Sequence, residues 1–195
     1  PSSGLMRVLG LAGVAPDLAI PQDTSAWLRE YFPLRRTGEN AADPSQAAVI
    51  DSSASARQIV TAGPGSGKTH TATERVIHLV QQGLLPAGIR LITFTRVAAE
   101  EVGGRISQAL SDYSYSGGVT CGTIDSLAWN LVTTLGDAPS VGHERIVRIA
   151  RKAISDGEQA MLDLLTGISH LVIDEAQDIV GERRMFCSAL IDALP

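Results

Sequence analysis

Aromatic side chains are scarce in this sequence: three Phe, three Tyr and two Trp make up 4% of its 195 residues. The interior must therefore be filled by aliphatic residues, and a hydrophobic fraction of 44% is enough for a packed core. Cysteine is nearly absent. Cys121 and Cys187 are too few and too far apart for a disulfide framework or a cysteine-rich zinc site, which fits a reducing, cytoplasmic setting. Positive charge is not in excess either, since 16 Lys and Arg against 21 Asp and Glu leave a net charge of −5. Nucleic-acid binding through bulk positive charge is thereby excluded, and any such contact has to come from a local patch. No apolar run approaches the ~20 residues needed to cross a bilayer. The stretch Met6–Ala15 loosely resembles a signal peptide, but Gly10 and Gly13 break its apolar part, and a packed or half-ordered N-terminal extension is the better reading.

What is present is an alternation of strand and helix patterns. Residues 1–42 are rich in Pro, Gly and Ala without a sustained period, apart from a short helix expected near Ser25–Tyr31. From residue 43 onward order increases. The pattern predicts strands at Arg57–Ala62, Ile89–Thr95, Val119–Cys121 and His170–Ile173. It predicts helices at about Lys68–Gln82, Val97–Leu110, Ile124–Leu135, His143–Ser155, Glu158–Leu165 and Glu182–Ala193, with Gly83 just past the end of the first. Strands alternating with helices, without repeats, predict an α/β domain with a largely parallel sheet covered by helices.

The chemistry concentrates in two places. Ala62-Gly63-Pro64-Gly65-Ser66-Gly67-Lys68-Thr69 lies between an expected strand and an expected helix. Phosphate oxygens need several converging donors, and glycines let the backbone turn its N–H groups inward at a helix N-terminus. Lys68 then serves the β- and γ-phosphates as a point charge, and the Thr69 hydroxyl serves Mg²⁺. His70, in the first turn of that helix, is a candidate for the phosphate side or for solvent. The second place is the apolar run Leu171-Val172-Ile173, which ends in Asp174-Glu175. Adjacent residues at a strand end point in different directions, so Asp174 suits a metal shell and Glu175 an attacking water. His78, His143 and His170 have no metal-ligand spacing with one another or with a cysteine, and read as structural. Arg145, Arg148, Arg151 and Lys152 form a basic stripe on one helix, the densest candidate for local DNA contact outside the motifs, whereas Arg183-Arg184 reads as a solvated pair.

With Asp174-Glu175-Ala176-Gln177-Asp178 added, the chain resembles the UvrD/Rep-like superfamily 1 helicases from about residue 42 to its end. The resemblance implies a P-loop NTPase fold, a RecA-like parallel sheet flanked by helices. It implies ATP and Mg²⁺ as cofactors and single-stranded DNA as the track of a 3′→5′ motor. Asp43-Pro44-Ser45-Gln46-Ala47-Ala48 is similar to the family's Q motif, in which Gln46 would read the adenine edge. The Ala62–Thr69 loop is similar to the family's first motif, where Ala in the leading position is common. Ile92-Thr93-Phe94-Thr95-Arg96-Val97 resembles the next block, which implies DNA contact by Phe94, Thr95 and Arg96, although the family usually has Asn-Lys in place of Arg96-Val97. Gly122-Thr123-Ile124-Asp125-Ser126-Leu127 resembles Gly-Thr-Phe-His-Ser-Leu. There Thr123 and Ser126 are candidates for phosphate contact and Asp125 replaces a histidine. Gln177 would sense the γ-phosphate and, with Lys68 and Glu175, complete the catalytic set.

The same resemblance implies a domain plan: an extension over 1–42, then a first RecA-like domain over 43–195 with a short helical insertion at about 136–167. In this family ATP sits between two RecA-like domains, so a second one would have to come from further chain or another protein. The 195 residues alone are expected to bind ATP weakly and hydrolyse it slowly. A truncated helicase remnant that binds nucleotide, DNA or a protein partner without catalysis shares every motif, and an unrelated P-loop ATPase acting on protein is the more distant alternative.

Overall fold

The computed structural model describes residues 43–63, 65–111, 118–136 and 141–194. The expected extension over 1–42, with its helix near Ser25–Tyr31 and the signal-like stretch, lies outside the described residues, as does Pro64. The chain divides into two compact units, one holding the described residues up to 87 together with 102–119, the other holding 88–101 and everything from 120 onward.

The first unit begins with a short helix, α1 (Pro44–Ile50). The Asp43 carboxylate caps it by accepting from the Ser45 amide at 2.8 Å, and Pro44 fills the first helical position, where a missing N–H costs nothing. Periodicity did not point to α1, because none of its residues is buried. Helix α2 (Lys68–Gln81) is the expected one, and it buries Val76, Ile77, Leu79 and Val80 on one side. Its end is closed by Gly83, at φ 97°, with the Leu84 amide donating to the Leu79 carbonyl. Between α1 and α2 the expected strand Arg57–Ala62 does not form: the segment is neither helix nor strand, and Ile59 is 94% exposed. A β-branched run makes a strand only where a ladder partner exists. Every strand among the described residues belongs to the second unit.

In that second unit the sheet has the order β2–β1–β3, all parallel: β1 (Ile89–Thr93), β2 (Thr120–Thr123) and β3 (His170–Ile173). Leu91 lies opposite Cys121 on one side and Val172 on the other. Helix α3 (Arg96–Ala109) follows β1 and continues through Gly103 and Gly104, its residues up to Glu101 counted in this unit and those from Val102 in the first; Ala99, Val102 and Ile106 are buried. The remaining helices are α4 (Ile124–Leu135), α5 (His143–Ser155), α6 (Gln159–Leu165) and α7 (Gly181–Ala193). The core is aliphatic, as the scarcity of aromatics requires: Leu127, Ala128 and Leu131 of α4 meet Ile146, Ala150 and Ile154 of α5, Met161 and Leu165 of α6, and Leu190 of α7. Phe186 of α7 is its one fully buried aromatic among the described residues, and truncating such a ring costs about 3–5 kcal/mol. Cys187 is buried in the same cluster and its thiol is pushed up to about 11 by desolvation. Cys121 is only half-buried, and desolvation raises its thiol too. Among the described residues no helix is long and apolar enough to cross a membrane.

Candidate functional site

The glycine-rich loop of the first unit is shaped by two left-handed residues, Gly65 at φ 73° and Gly67 at φ 81°. At Gly67 the absence of a side chain is also a packing requirement, since a Cβ there would stand 3.0 Å from Nε2 of Gln46. That same Nε2 donates to the Ser66 carbonyl at 2.9 Å, so Gln46 is tied to the loop 20 residues further along the chain. Lys68 opens α2, and its Nζ donates to the carbonyls of Ala62 at 3.1 Å and Gly63 at 3.0 Å. The hydroxyls of Thr71 and Thr73 bond back to the carbonyls of Gly67 and Thr69, holding the first turn of α2 to the loop. Thr69 is half-buried and His70 is exposed.

These residues border a cavity of about 650 Å³. Its polar lining includes Asp43, Gln46, Gln58, Ser66 and Lys68, and its apolar lining includes Val49, Ile59 and Val60. The Asp43 carboxyl is held below its ordinary value by the Ser45 hydroxyl, then by the Ser45 amide, and stays anionic at the mouth of α1. The donor set fits a nucleotide triphosphate: a cationic Nζ, a loop with glycines where a Cβ has no room or no allowed φ, and an amide beside apolar walls. Of the residues expected here, Gln46, Ala62, Ser66 and Lys68 line one cavity together.

One residue of this unit escaped sequence reasoning. Arg75 is 5% exposed, and its guanidinium donates to the carbonyls of Ile50 (2.8 Å), Ser52 and Ser53 (2.7 Å). Desolvation pulls its pKa below the ordinary arginine value, and the Asp51 carboxylate opposes that shift. The signal was present in its spacing: Thr71, Arg75 and Leu79 share one buried stripe four residues apart, which puts a charge where an apolar residue belongs.

In the second unit the three strands are parallel, so everything that follows them emerges at one edge of the sheet, where ligands of such sheets bind. After β1 come Phe94, Thr95 and Arg96, all exposed. Phe94, at 53%, is not the core aromatic that a lone Phe usually is. The Thr95 hydroxyl caps α3 by accepting from the Ala98 amide at 3.2 Å, and the Thr95 carbonyl accepts from the Thr93 hydroxyl at 2.8 Å. After β2, Thr123 and Ser126 form a reciprocal capping box at the start of α4. The Ser126 amide donates to Thr123 Oγ1 at 3.2 Å and the Thr123 amide to Ser126 Oγ at 2.8 Å. Both hydroxyls thus serve the helix end.

After β3, the Asp174 amide donates to the Ile92 carbonyl at 2.8 Å and extends the β1–β3 ladder by one residue. Asp174 is buried, and its Oδ1 accepts from the Glu175 amide at 3.0 Å. Glu175 itself is left-handed, at φ 53° and ψ 41°, alone among the described non-glycine residues in having positive φ. Its carboxylate accepts from the Gln177 side-chain amide. Asp174, Glu175 and Gln177 are thereby brought together in the second unit, while Lys68 and Thr69 belong to the first.

One expectation about charge is corrected, and a second is weakened. Arg183 is not a solvated surface charge: it grips Asp125 with both Nε and Nη2 at 2.8 Å, a fork geometry that raises the arginine pKa. The α5 basic stripe is largely spoken for. Arg148 and Arg151 each place Nε 3.0 Å from one oxygen of Glu182, and Lys152 stands 4.0 Å from Asp156. A stripe neutralised in this way is a poor phosphate site.

Comparison with known proteins agrees with this set of motifs. The UvrD/REP helicase N-terminal domain matches residues 42–149, more than half of the chain. The chain belongs to the UvrD/REP helicase family. DNA helicase II of Rickettsia typhi is 39% identical over 71 residues, 36% of this chain and 10% of the relative. ATP-dependent DNA helicase PcrA of Leuconostoc citreum is 38% identical over 81 residues, 41% of this chain and 11% of the relative. ATP-dependent DNA helicase srs2 of Schizosaccharomyces pombe is 38% identical over 78 residues, 40% of this chain and 9% of the relative. The matched stretches thus span about a tenth of these curated relatives. No solved structure gives a significant match.

Proposed function

We propose that residues 43–195 form the first RecA-like, P-loop domain of a UvrD/Rep-like helicase, with a helical insertion at about 136–167 and an extension over 1–42. Its work is ATP hydrolysis coupled to 3′→5′ translocation on single-stranded DNA and to unwinding. The observation that carries this reading is the cavity in which Lys68 Nζ, Gln46 and the Ser66 side of the glycine loop converge.

Each residue has a role that its position supports. Lys68 exchanges the Ala62 and Gly63 carbonyls for β- and γ-phosphate oxygens, and the loop amides of Gly63–Gly67 with Pro64 shape the cradle. Gln46 accepts from the adenine amine. The Thr69 hydroxyl and the Asp174 carboxylate are each the kind of oxygen ligand that would hold Mg²⁺, and the metal would supply positive charge against the charge that develops on the phosphates. Glu175 orients the attacking water, and Gln177, already bonded to its carboxylate, links that carboxylate to the γ-phosphate state. Phe94, Thr95 and Arg96, with Thr123 and Ser126 at the neighbouring strand end, face single-stranded DNA. A second RecA-like domain, from further chain or another protein, supplies the cations missing from this set. Without a trans arginine the chain loses roughly 10³–10⁵ in turnover.

Calorimetric titration of the chain with Mg-ATP tests the reading. Lys68→Ala is expected to weaken binding about 10–100-fold, the worth of a charge-assisted hydrogen bond or two. Its melting temperature should barely move, because Nζ bonds only to exposed loop carbonyls. A wild-type chain that binds no ATP, or a variant that binds it equally well, defeats the proposal.

A further inference from the structure

Helix α1 poses a mechanical problem. It has seven residues, buries none of them, and is too short to be stable alone, yet it carries Gln46. Its N-terminus is held by the Asp43 cap. The other end is held from α2: the Arg75 guanidinium takes the carbonyl of Ile50, the last residue of α1, and those of Ser52 and Ser53 in the turn that follows. Three main-chain acceptors on one planar fork fix direction as well as distance, which a lysine ammonium would not do. A cation at a helix C-terminus is also favoured by the helix dipole.

We propose that Arg75 is a positioning residue for base recognition, holding α1 so that Gln46 keeps its bond to Ser66 and offers Oε1 to the base. With Nε2 given to the Ser66 carbonyl, Oε1 is the acceptor of Gln46 that has no partner among the described residues. An acceptor selects a base with an exocyclic amine and rejects one that presents a keto oxygen in its place. Arg75 touches no phosphate-loop residue in this scheme, so its effect falls on the base and not on the triphosphate. The inference rests on the adenine-reading role given to Gln46 above.

The test is titration of the 195-residue chain, with Mg²⁺, against ATP, ITP and inorganic tripolyphosphate, for wild type, Arg75→Lys and Arg75→Gln. ITP differs from ATP by a keto oxygen in place of the 6-amine. Wild type should prefer ATP over ITP about tenfold, the value of one hydrogen bond against an unpaired acceptor. Both Arg75 variants should lower that ratio at least about threefold while binding tripolyphosphate as wild type does, and should add nothing in a Gln46→Ala background. Thermal melts identify a variant that has lost its fold, and Arg75→Lys, which keeps charge and volume, then carries the result. An unchanged ATP:ITP ratio in a folded variant, or an equal loss for all three ligands, overturns the role of Arg75 alone. A wild type with no preference for ATP over ITP overturns the Gln46 reading and this inference with it.

Discussion

Glu175 occupies a backbone conformation that costs an L-residue about 1–2 kcal/mol, at φ 53°. The local bonds show how it is sustained: Asp174 Oδ1 accepts its amide, and the Gln177 amide holds its carboxylate. Glycine satisfies the same turn without strain. The usual order of stability should therefore invert at this position. Glu175→Gly should be more stable than Glu175→Ala by about 1 kcal/mol, although elsewhere glycine costs roughly that much relative to alanine. Urea unfolding of the two variants measures this directly, and an alanine variant as stable as the glycine variant would show that the turn is unstrained. Both variants remove the proposed water-orienting carboxylate, so stability and turnover should part company.

The seam between α5 and α7 shows what pattern reading captures and what it misses. Ile146, Val147, Ala150, Ala153 and Ile154 of α5 recur at three and four residues, so the helix and its buried face were legible at once. Helices α2 and α4 and strand β3 were likewise legible to within a residue or so, because periods and caps are local properties. Helix α1 had a local signal in Asp43-Pro44 but no apolar face to announce it. Arg57–Ala62 had the composition of a strand, but a ladder is a non-local fact. The Asp125–Arg183 fork joins residues 58 apart, and no spacing rule reaches that far. In the site, the Lys68 loop and Asp174-Glu175 were legible as motifs, whereas Arg75 had to be seen in place.

Glu182 gives this seam a measurable signature. Burial opposes its charge, but hydrogen bonds from Arg151 and Arg148 outweigh that and hold its carboxyl below the ordinary 4.5. A depressed folded-state pKa means stability that is present above the unfolded value and lost as pH falls through the folded one. The gap in urea midpoint between wild type and Glu182→Gln should thus be full at neutral pH and close on acidification below 4.5. A gap that stays constant with pH would mean that the pair with Arg148 and Arg151 contributes nothing.

A net charge of −5 repels DNA as a whole, so the proposed grip on a strand would have to be local, and the two candidate surfaces make opposite claims. On α5, Arg148 and Arg151 already share Glu182, and a phosphate would have to compete with a carboxylate that stays in place. Beyond β1, Arg96 is exposed next to an exposed Phe94, which pairs a cation with a stacking face. Each phosphate contact to a single strand contributes about 0.7 to the slope of log K against log salt. Anisotropy titrations of a labelled oligothymidine at a series of salt concentrations separate the two. Arg96→Ala should lower the magnitude of the slope by about 0.7, the share of one contact. Arg148→Ala should leave the slope as it is, because that guanidinium is already paired with the carboxylates of Glu182 and Glu144 and holds no phosphate. The reverse pattern would move the DNA track from the strand ends to α5, and would mean that Glu182 gives up its arginines when DNA binds.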